Sequence, residues 1–142
     1  MSDAIPIPTP SETPKPGGGS ALTVVIADPH AAFREALRKV VSHHAHLLVV
    51  AEAGDLARAT SAVRRHRAGV LVLDMRLFAG GRPTLGPLPA HTAIVVVGMS
   101  DARALAEDVL VRGAHAYVVK DRAHAVLAAV LRRAATARCE PP

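Results

Sequence analysis

Asp74 directly follows the apolar run VLVL, and three comparable positions occur elsewhere in the chain. Asp28 follows VVIA, Gly98 follows IVVV, and Lys120 follows AYVV. Two carboxylates and a lysine at the ends of separate apolar segments have the residue types of a phosphate-and-metal site. Phosphoryl transfer to a carboxylate needs cationic charge against crowded oxygens. Mg²⁺ takes octahedral oxygen ligands and binds through carboxylates and water. In this reading Asp74 is the candidate acceptor and Asp28 and Asp74 are the candidate Mg²⁺ ligands. Lys120 completes the acidic pocket. The simpler alternative is a remnant: a carboxylate after an apolar run needs solvent, a cation or hydrogen bonds, and Lys120 can neutralise Asp74.

These residues are positioned by alternating strands and helices. LTVVIA, LLVVAEA, VLVLD, AIVVVG and AYVV read as five strands, nearly continuous in apolar residues. Such runs fit a parallel sheet covered on both faces, an α/β doubly wound fold. Between them, Phe33, Leu37, Val40 and Val41 share one helical face. Leu56, Ala59 and Val63 share another, behind an Asp55 cap. Leu105, Ala106, Val109 and Leu110 form a third face closed by Gly113, with Ser100 or Asp101 as its cap. Val126, Leu127, Val130 and Leu131 form the last, behind an Asp121 cap. Asp28 followed by Pro29 also reads as an N-cap with proline at the first helical position. Ligands of doubly wound sheets bind beyond the C-terminal strand ends, where Asp28, Asp74, Gly98 and Lys120 all fall.

One unit departs from the pattern. MRLFAGGRPTLGPLPAHTA, between Asp74 and Ile94, contains three glycines and three prolines. In a helix interior Gly costs about 1 kcal/mol and Pro about 3 kcal/mol relative to Ala, so the helix here is expected to be shortened or missing. Leu77, Phe78, Leu85 and Leu88 are then expected to cover the sheet edge left bare.

Bulk properties narrow the function. The chain has 142 residues, enough for one domain with a real core. Residues 1–20 are rich in Pro, Ser, Thr and Gly and read as a disordered leader. The domain then spans 21–135, and 136–142 is a tail or the start of a linker. Net charge is +5, but the arginines are dispersed and aromatics are only 2%, which argues against a nucleic-acid surface. Cys139 is the sole cysteine, so neither an internal disulfide nor a cysteine zinc site can form. His43, His44 and His46 diverge at a helix end without supporting carboxylates, and His30 beside Asp28 has no assigned role. No apolar run is long enough to span a membrane and no signal pattern opens the chain, so the expected location is cytoplasmic. A free-standing enzyme is not expected: there is no glycine-rich dinucleotide loop and no legible nucleophile–base pair.

The segments VVIADPHAAFREALRKVV, VLVLDMR, IVVVGMSD and RGAHAYVVKD, in this order, resemble the receiver domain of bacterial response regulators. The likeness spans residues 22–134 and is strongest to the subclass with a C-terminal helix-turn-helix DNA-binding domain. It implies a flavodoxin-like, five-stranded receiver fold. It also implies a paired acid after strand one, a phosphorylatable Asp ending strand three, a Ser or Thr ending strand four and a Lys ending strand five. Asp28, Asp74 and Lys120 match. Pro29 stands where the second acid belongs, and Gly98 where the hydroxyl belongs, so both positions are degenerate. Tyr117 matches the aromatic that rearranges on activation, and Ser100 is a candidate substitute hydroxyl.

Three functions follow. The first is an atypical receiver of a transcription regulator, acting by dimerisation or protein interaction, with no cofactor required. Its partner would be a second copy or a related regulator, through the first helix or the face of the last two helices. DNA would be reached only through a domain outside this chain. This reading treats the chain as the N-terminal domain of a longer regulator, with a stand-alone receiver as the alternative. The second function is a conventional phosphoacceptor, modified on Asp74 by a histidine kinase with Mg²⁺. The third is a small-ligand-responsive module, with residues 80–89 shaping a pocket.

Overall fold

The computed structural model describes residues 21–139; the expected leader, 1–20, and residues 140–142 lie outside the described residues. Five strands form one sheet: β1 (Leu22–Ala27), β2 (Leu47–Ala53), β3 (Val70–Asp74), β4 (Ala93–Gly98) and β5 (Ala116–Val119). All pairs are parallel and the order is β2-β1-β3-β4-β5. The helices are α1 (Ala31–Ser42), α2 (Leu56–His66), α3 (Arg103–Val111) and α4 (Ala123–Cys139). The architecture is the expected doubly wound, flavodoxin-like receiver topology.

Successive side chains of a strand point to opposite faces, which is why the apolar runs are continuous. Val24, Ile26, Val72, Val95 and Val97 meet Leu37 and Val41 of α1 and Leu127 and Leu131 of α4. Val25, Leu71, Leu73, Ile94 and Val96 face the other way, onto Ala59 and Val63 of α2 and Val109 of α3. The α2 helix is capped as its sequence indicates: the Asp55 carboxylate accepts from the Arg58 N–H at 2.8 Å.

The β3–β4 connection holds only two single 3-10 turns, Met75–Phe78 and Arg82–Leu85. Phe78 and Leu85 are buried in the second core layer, with Leu77 and Leu88 packed against it. Each full burial stabilises by about 1.5–3 kcal/mol, which replaces the missing helix. The region they cover is the face over β3 and β4, not an edge, because β2 and β5 are the edge strands. Gly81 and Gly86 take positive φ, 77° and 73°, where a side chain would be strained. The segment is tied to both neighbouring helices: Arg112 Nη1 donates to the Ala79 carbonyl at 2.6 Å and Arg64 Nη1 to that of Pro87 at 3.1 Å.

Four expectations need correction. Helix α1 begins at Ala31 with His30 as N-cap, so Asp28 is not the cap and Pro29 is not its first helical residue. The Asp28 carboxylate instead accepts from the His30 N–H at 2.8 Å, closing a local turn. Phe33 is 37% exposed and lies outside both core layers, because its ring packs over the Lys120 ammonium and edge-on to His30. In α3, Val109 alone is fully buried and Leu110 is exposed; its N-cap is Ala102, while the Ser100 hydroxyl accepts from the Ala102 N–H. Asp121 lies inside a 3-10 turn, Lys120–Arg122, that precedes α4.

Candidate functional site

Three strand ends bring Asp28, Asp74 and Lys120 together. Lys120 Nζ lies 2.7 Å from Asp28 Oδ2 and 2.6 Å from Asp74 Oδ2. The first contact is an ion pair without an aligned hydrogen bond. All three residues are buried, Asp28 completely. A buried ammonium between two buried carboxylates leaves the trio one negative charge in excess, and that charge needs a further partner.

The partner is Arg76. The Asp74 carboxylate is the N-cap of the turn after β3, and its Oδ1 accepts from the Arg76 backbone N–H at 2.8 Å. The same residue folds back: Arg76 Nε donates to Asp74 Oδ1 at 2.9 Å and Nη2 to Oδ2 at 3.3 Å. Nη2 also lies 3.7 Å from Asp28 Oδ1 and donates to His30 Nδ1 at 3.0 Å. A guanidinium has no acceptor, so the imidazole accepts at Nδ1. Two cations thus neutralise two acids. Burial opposes ionisation of Asp74, yet hydrogen bonds from Arg76 and Lys120 prevail and hold its carboxyl below the usual range. The Asp74 contact in turn raises the Arg76 guanidinium further above its ordinary value. Phe33 closes the lysine from the other side, its ring centroid 4.1 Å from Nζ.

Gly98 ends β4 at the adjacent corner. A Cβ there would meet Tyr117 Oη at 2.5 Å and Met75 Sδ at 3.1 Å. The tyrosine ring occupies the volume that a side chain at position 98 would need. Its hydroxyl donates to the Ser100 carbonyl at 2.7 Å. Burial pushes the Tyr117 phenol up, and the Asp101 and Asp74 charges add to this against the hydrogen bond to Ser100. Ser100 joins this corner through its carbonyl, while its hydroxyl accepts from the Ala102 N–H.

The carboxylates that Mg²⁺ would use are engaged in this arrangement. All four carboxylate oxygens of Asp28 and Asp74 already face an N–H donor or a cation. Pro29 supplies no oxygen-bearing side chain beside them. Among the described residues no group of three or more His, Cys, Asp or Glu is placed to hold a metal. An open groove of about 430 Å³ lies next to the site, lined by Met99, Ser100, Asp101, Val119, Asp121 and Arg122. None of its lining residues comes from 80–89, where Leu85 and Leu88 pack on the core.

Asp28, Asp74, Gly98 and Lys120 stand at or just beyond the strand ends where the sequence placed them, with Tyr117 inside β5 beside them. Sequence reasoning missed Arg76, His30 as its support, and Phe33. The signal for Arg76 was its place two residues after the central acid, where an Asx-type turn points a long side chain back.

Comparison with known proteins agrees with this geometry. The profile of the response regulator receiver domain matches residues 24–132. The chain is 33% identical over 103 residues to the DNA-binding transcriptional activator DevR/DosR of Mycobacterium tuberculosis, covering 69% of this chain and 47% of that protein. It is 30% identical over 105 residues to the oxygen regulatory protein NreC of Staphylococcus epidermidis, covering 70% and 48%. The chain therefore spans about half the length of the curated relatives it matches. Among solved structures, the signal receiver domain of the response regulator NarL from Mycobacterium tuberculosis superposes with a TM-score of 0.70 at 24% identity, covering 82% and 97%. No helix among the described residues is long and apolar enough to cross a membrane. With the profile match over most of its length, the chain belongs to the response regulator receiver family, whose members are signalling modules and not catalytic enzymes.

Proposed function

We propose that this chain is the atypical receiver domain of a bacterial transcription regulator, acting in the cytoplasm by dimerisation or protein interaction without conventional phosphorylation. The receiver unit is residues 21–135 and 1–20 a leader; α4 carries the chain on to Cys139, into the tail or linker of 136–142. DNA is reached through a domain outside this chain. The observation that carries the reading is the closure of Asp74: its carboxylate is held at 2.9 Å by Arg76 and at 2.6 Å by Lys120. An incoming phosphoryl group would have to displace a cation from either oxygen. Degeneracy at Pro29 and Gly98 points the same way. DevR/DosR, described as a DNA-binding transcriptional activator, supports the regulatory assignment. Leu110 and Val111, exposed on α3, support a protein-facing surface near the last two helices.

The test is incubation of the full chain with acetyl phosphate and Mg²⁺, read by intact mass, alongside light scattering. The expected outcome is an unmodified Asp74 and a dimer whose formation is unchanged by Asp74→Asn. Efficient Mg²⁺-dependent phosphorylation on Asp74, or a monomer across a wide concentration range, would overturn the reading. The second reading is a conventional acceptor driven by a histidine kinase. It is favoured by one feature, the ammonium of Lys120 against Asp74 Oδ2, where a phosphoryl oxygen would need charge.

A further inference from the structure

We infer that the Arg76 guanidinium is the resident cation of the Asp28–Asp74 pocket, occupying the ligands a divalent ion would use and closing the pocket to metal. The inference deepens the proposed function and rests on that reading. Three observations carry it. First, Arg76 donates to Asp74 three times, by its backbone N–H at 2.8 Å, its Nε at 2.9 Å and its Nη2 at 3.3 Å. The backbone bond fixes where the side chain starts, so little conformational freedom is lost when the head group docks. Second, Nη2 lies between Asp28 Oδ1 at 3.7 Å and His30 Nδ1 at 3.0 Å. His30 is itself held, since its N–H donates to Asp28 Oδ1 at 2.8 Å. The guanidinium therefore spans both acids and is steadied by a neutral acceptor on the far side. Third, the charges balance: Asp28 and Asp74 against Lys120 and Arg76 sum to zero. A divalent ion entering this pocket would find no uncompensated carboxylate and would have Arg76 as a neighbouring like charge. It would also have to shed water for ligands already engaged, which Mg²⁺ does reluctantly.

The arrangement assigns His30 a role the sequence did not: it positions Arg76. It also explains how two buried acids persist beside a position that is proline.

The experiment is a Mn²⁺ titration of the full chain by amide NMR, using paramagnetic broadening at Asp28 and Asp74, for wild type, Arg76→Ala and Arg76→Lys. The expected result is no site-specific broadening in wild type and a gain of roughly tenfold or more in Mn²⁺ affinity in Arg76→Ala. Arg76→Lys, which keeps the charge, should stay nearer wild type. Equal Mn²⁺ affinity in wild type and Arg76→Ala overturns the inference. The Arg76 side chain is about half exposed (51%), which favours a folded variant. A wild-type measurement stands independently of that: the Arg76 Nε–H signal should hold its position through a Mg²⁺ titration. Its shift or loss on adding Mg²⁺ overturns the inference as well. The two ideas fail differently. Metal binding without phosphorylation removes the resident cation and leaves the proposed function standing. Phosphorylation of Asp74 with no metal present removes the proposed function and leaves the resident cation.

Discussion

Two corners of the same crevice are closed by different means. At the ends of β1, β3 and β5, closure is electrostatic: Lys120 and Arg76 neutralise Asp28 and Asp74. At the end of β4, closure is steric: Gly98 has no side chain and the Tyr117 ring lies in the space. The first corner has an added charge, the second a subtracted volume. Their sensitivities should differ accordingly. The charged corner depends on pH and on partners buried with it. The tyrosine corner depends on shape.

The largest effect that would break this contrast is at the buried lysine. Lys120→Met removes a cation held at 2.7 and 2.6 Å from two buried acids. Leaving buried charge uncompensated costs about 3–5 kcal/mol, read as a lower denaturation midpoint. Little loss would mean that Arg76 alone satisfies the pocket. Relief of that loss by a second change, Asp28→Asn, would assign the cost to charge and not to packing.

Next in size is Gly98→Thr. Its Cβ would lie 2.5 Å from the Tyr117 hydroxyl, so the ring must swing out and lose its bond to Ser100. Tyr117 is the only tyrosine and there is no tryptophan, so ultraviolet absorbance reports this ring alone. In the native chain burial raises its titration above 10.0; in Gly98→Thr the value should fall back toward it. An unchanged titration would show that the corner yields elsewhere, at Met75.

A smaller effect separates the hydrogen bond from the ring. Tyr117→Phe keeps the volume and removes the donor to Ser100. The expected loss is about 1 kcal/mol, with the charged corner undisturbed by amide NMR. A loss several times larger would make the hydroxyl, not the ring, the closing element.

The pH dependence sharpens the electrostatic half. Burial works against the Asp74 carboxylate, but the Arg76 and Lys120 bonds place its folded pKa below the ordinary 3.8. The stability it contributes is fully present above the unfolded value and is lost as pH falls through the folded one. Thermal midpoints of wild type should therefore fall in this acid window, and Asp74→Asn should flatten the fall. Identical profiles would remove Asp74 as the source.

Much of this was legible along the chain. Continuous apolar runs such as VLVLD and AIVVVG mark buried parallel strands, since both faces of each are covered. Gly80, Gly81, Pro83 and Pro87 exclude a helix after β3 through backbone chemistry that needs no tertiary partner. The helix starts were less legible. Asp28, Ser100 and Asp121 all look like caps, yet Asp28 and Ser100 each close a turn by accepting from the N–H two residues on, and Asp121 lies inside a 3-10 turn, because a short polar side chain can close several turn geometries with similar ease. Phe33 and Leu110 fit helical apolar faces yet stand exposed, since periodicity gives direction around a helix but not what packs against it.

The amino-acid order by itself determined the strands, the irregular β3–β4 connection, and which side chains stand at the strand ends, because these follow from alternation and local backbone preference. Only the tertiary structure decided what fills the crevice. Arg76 is a long side chain with many rotamers, and its choice depends on His30, 46 positions earlier, as well as on Asp74 beside it. Tyr117 lies inward because position 98, on the neighbouring strand, lacks a Cβ. Both outcomes are set by contacts between segments distant in sequence, and such contacts exist only once the sheet has brought the strand ends together.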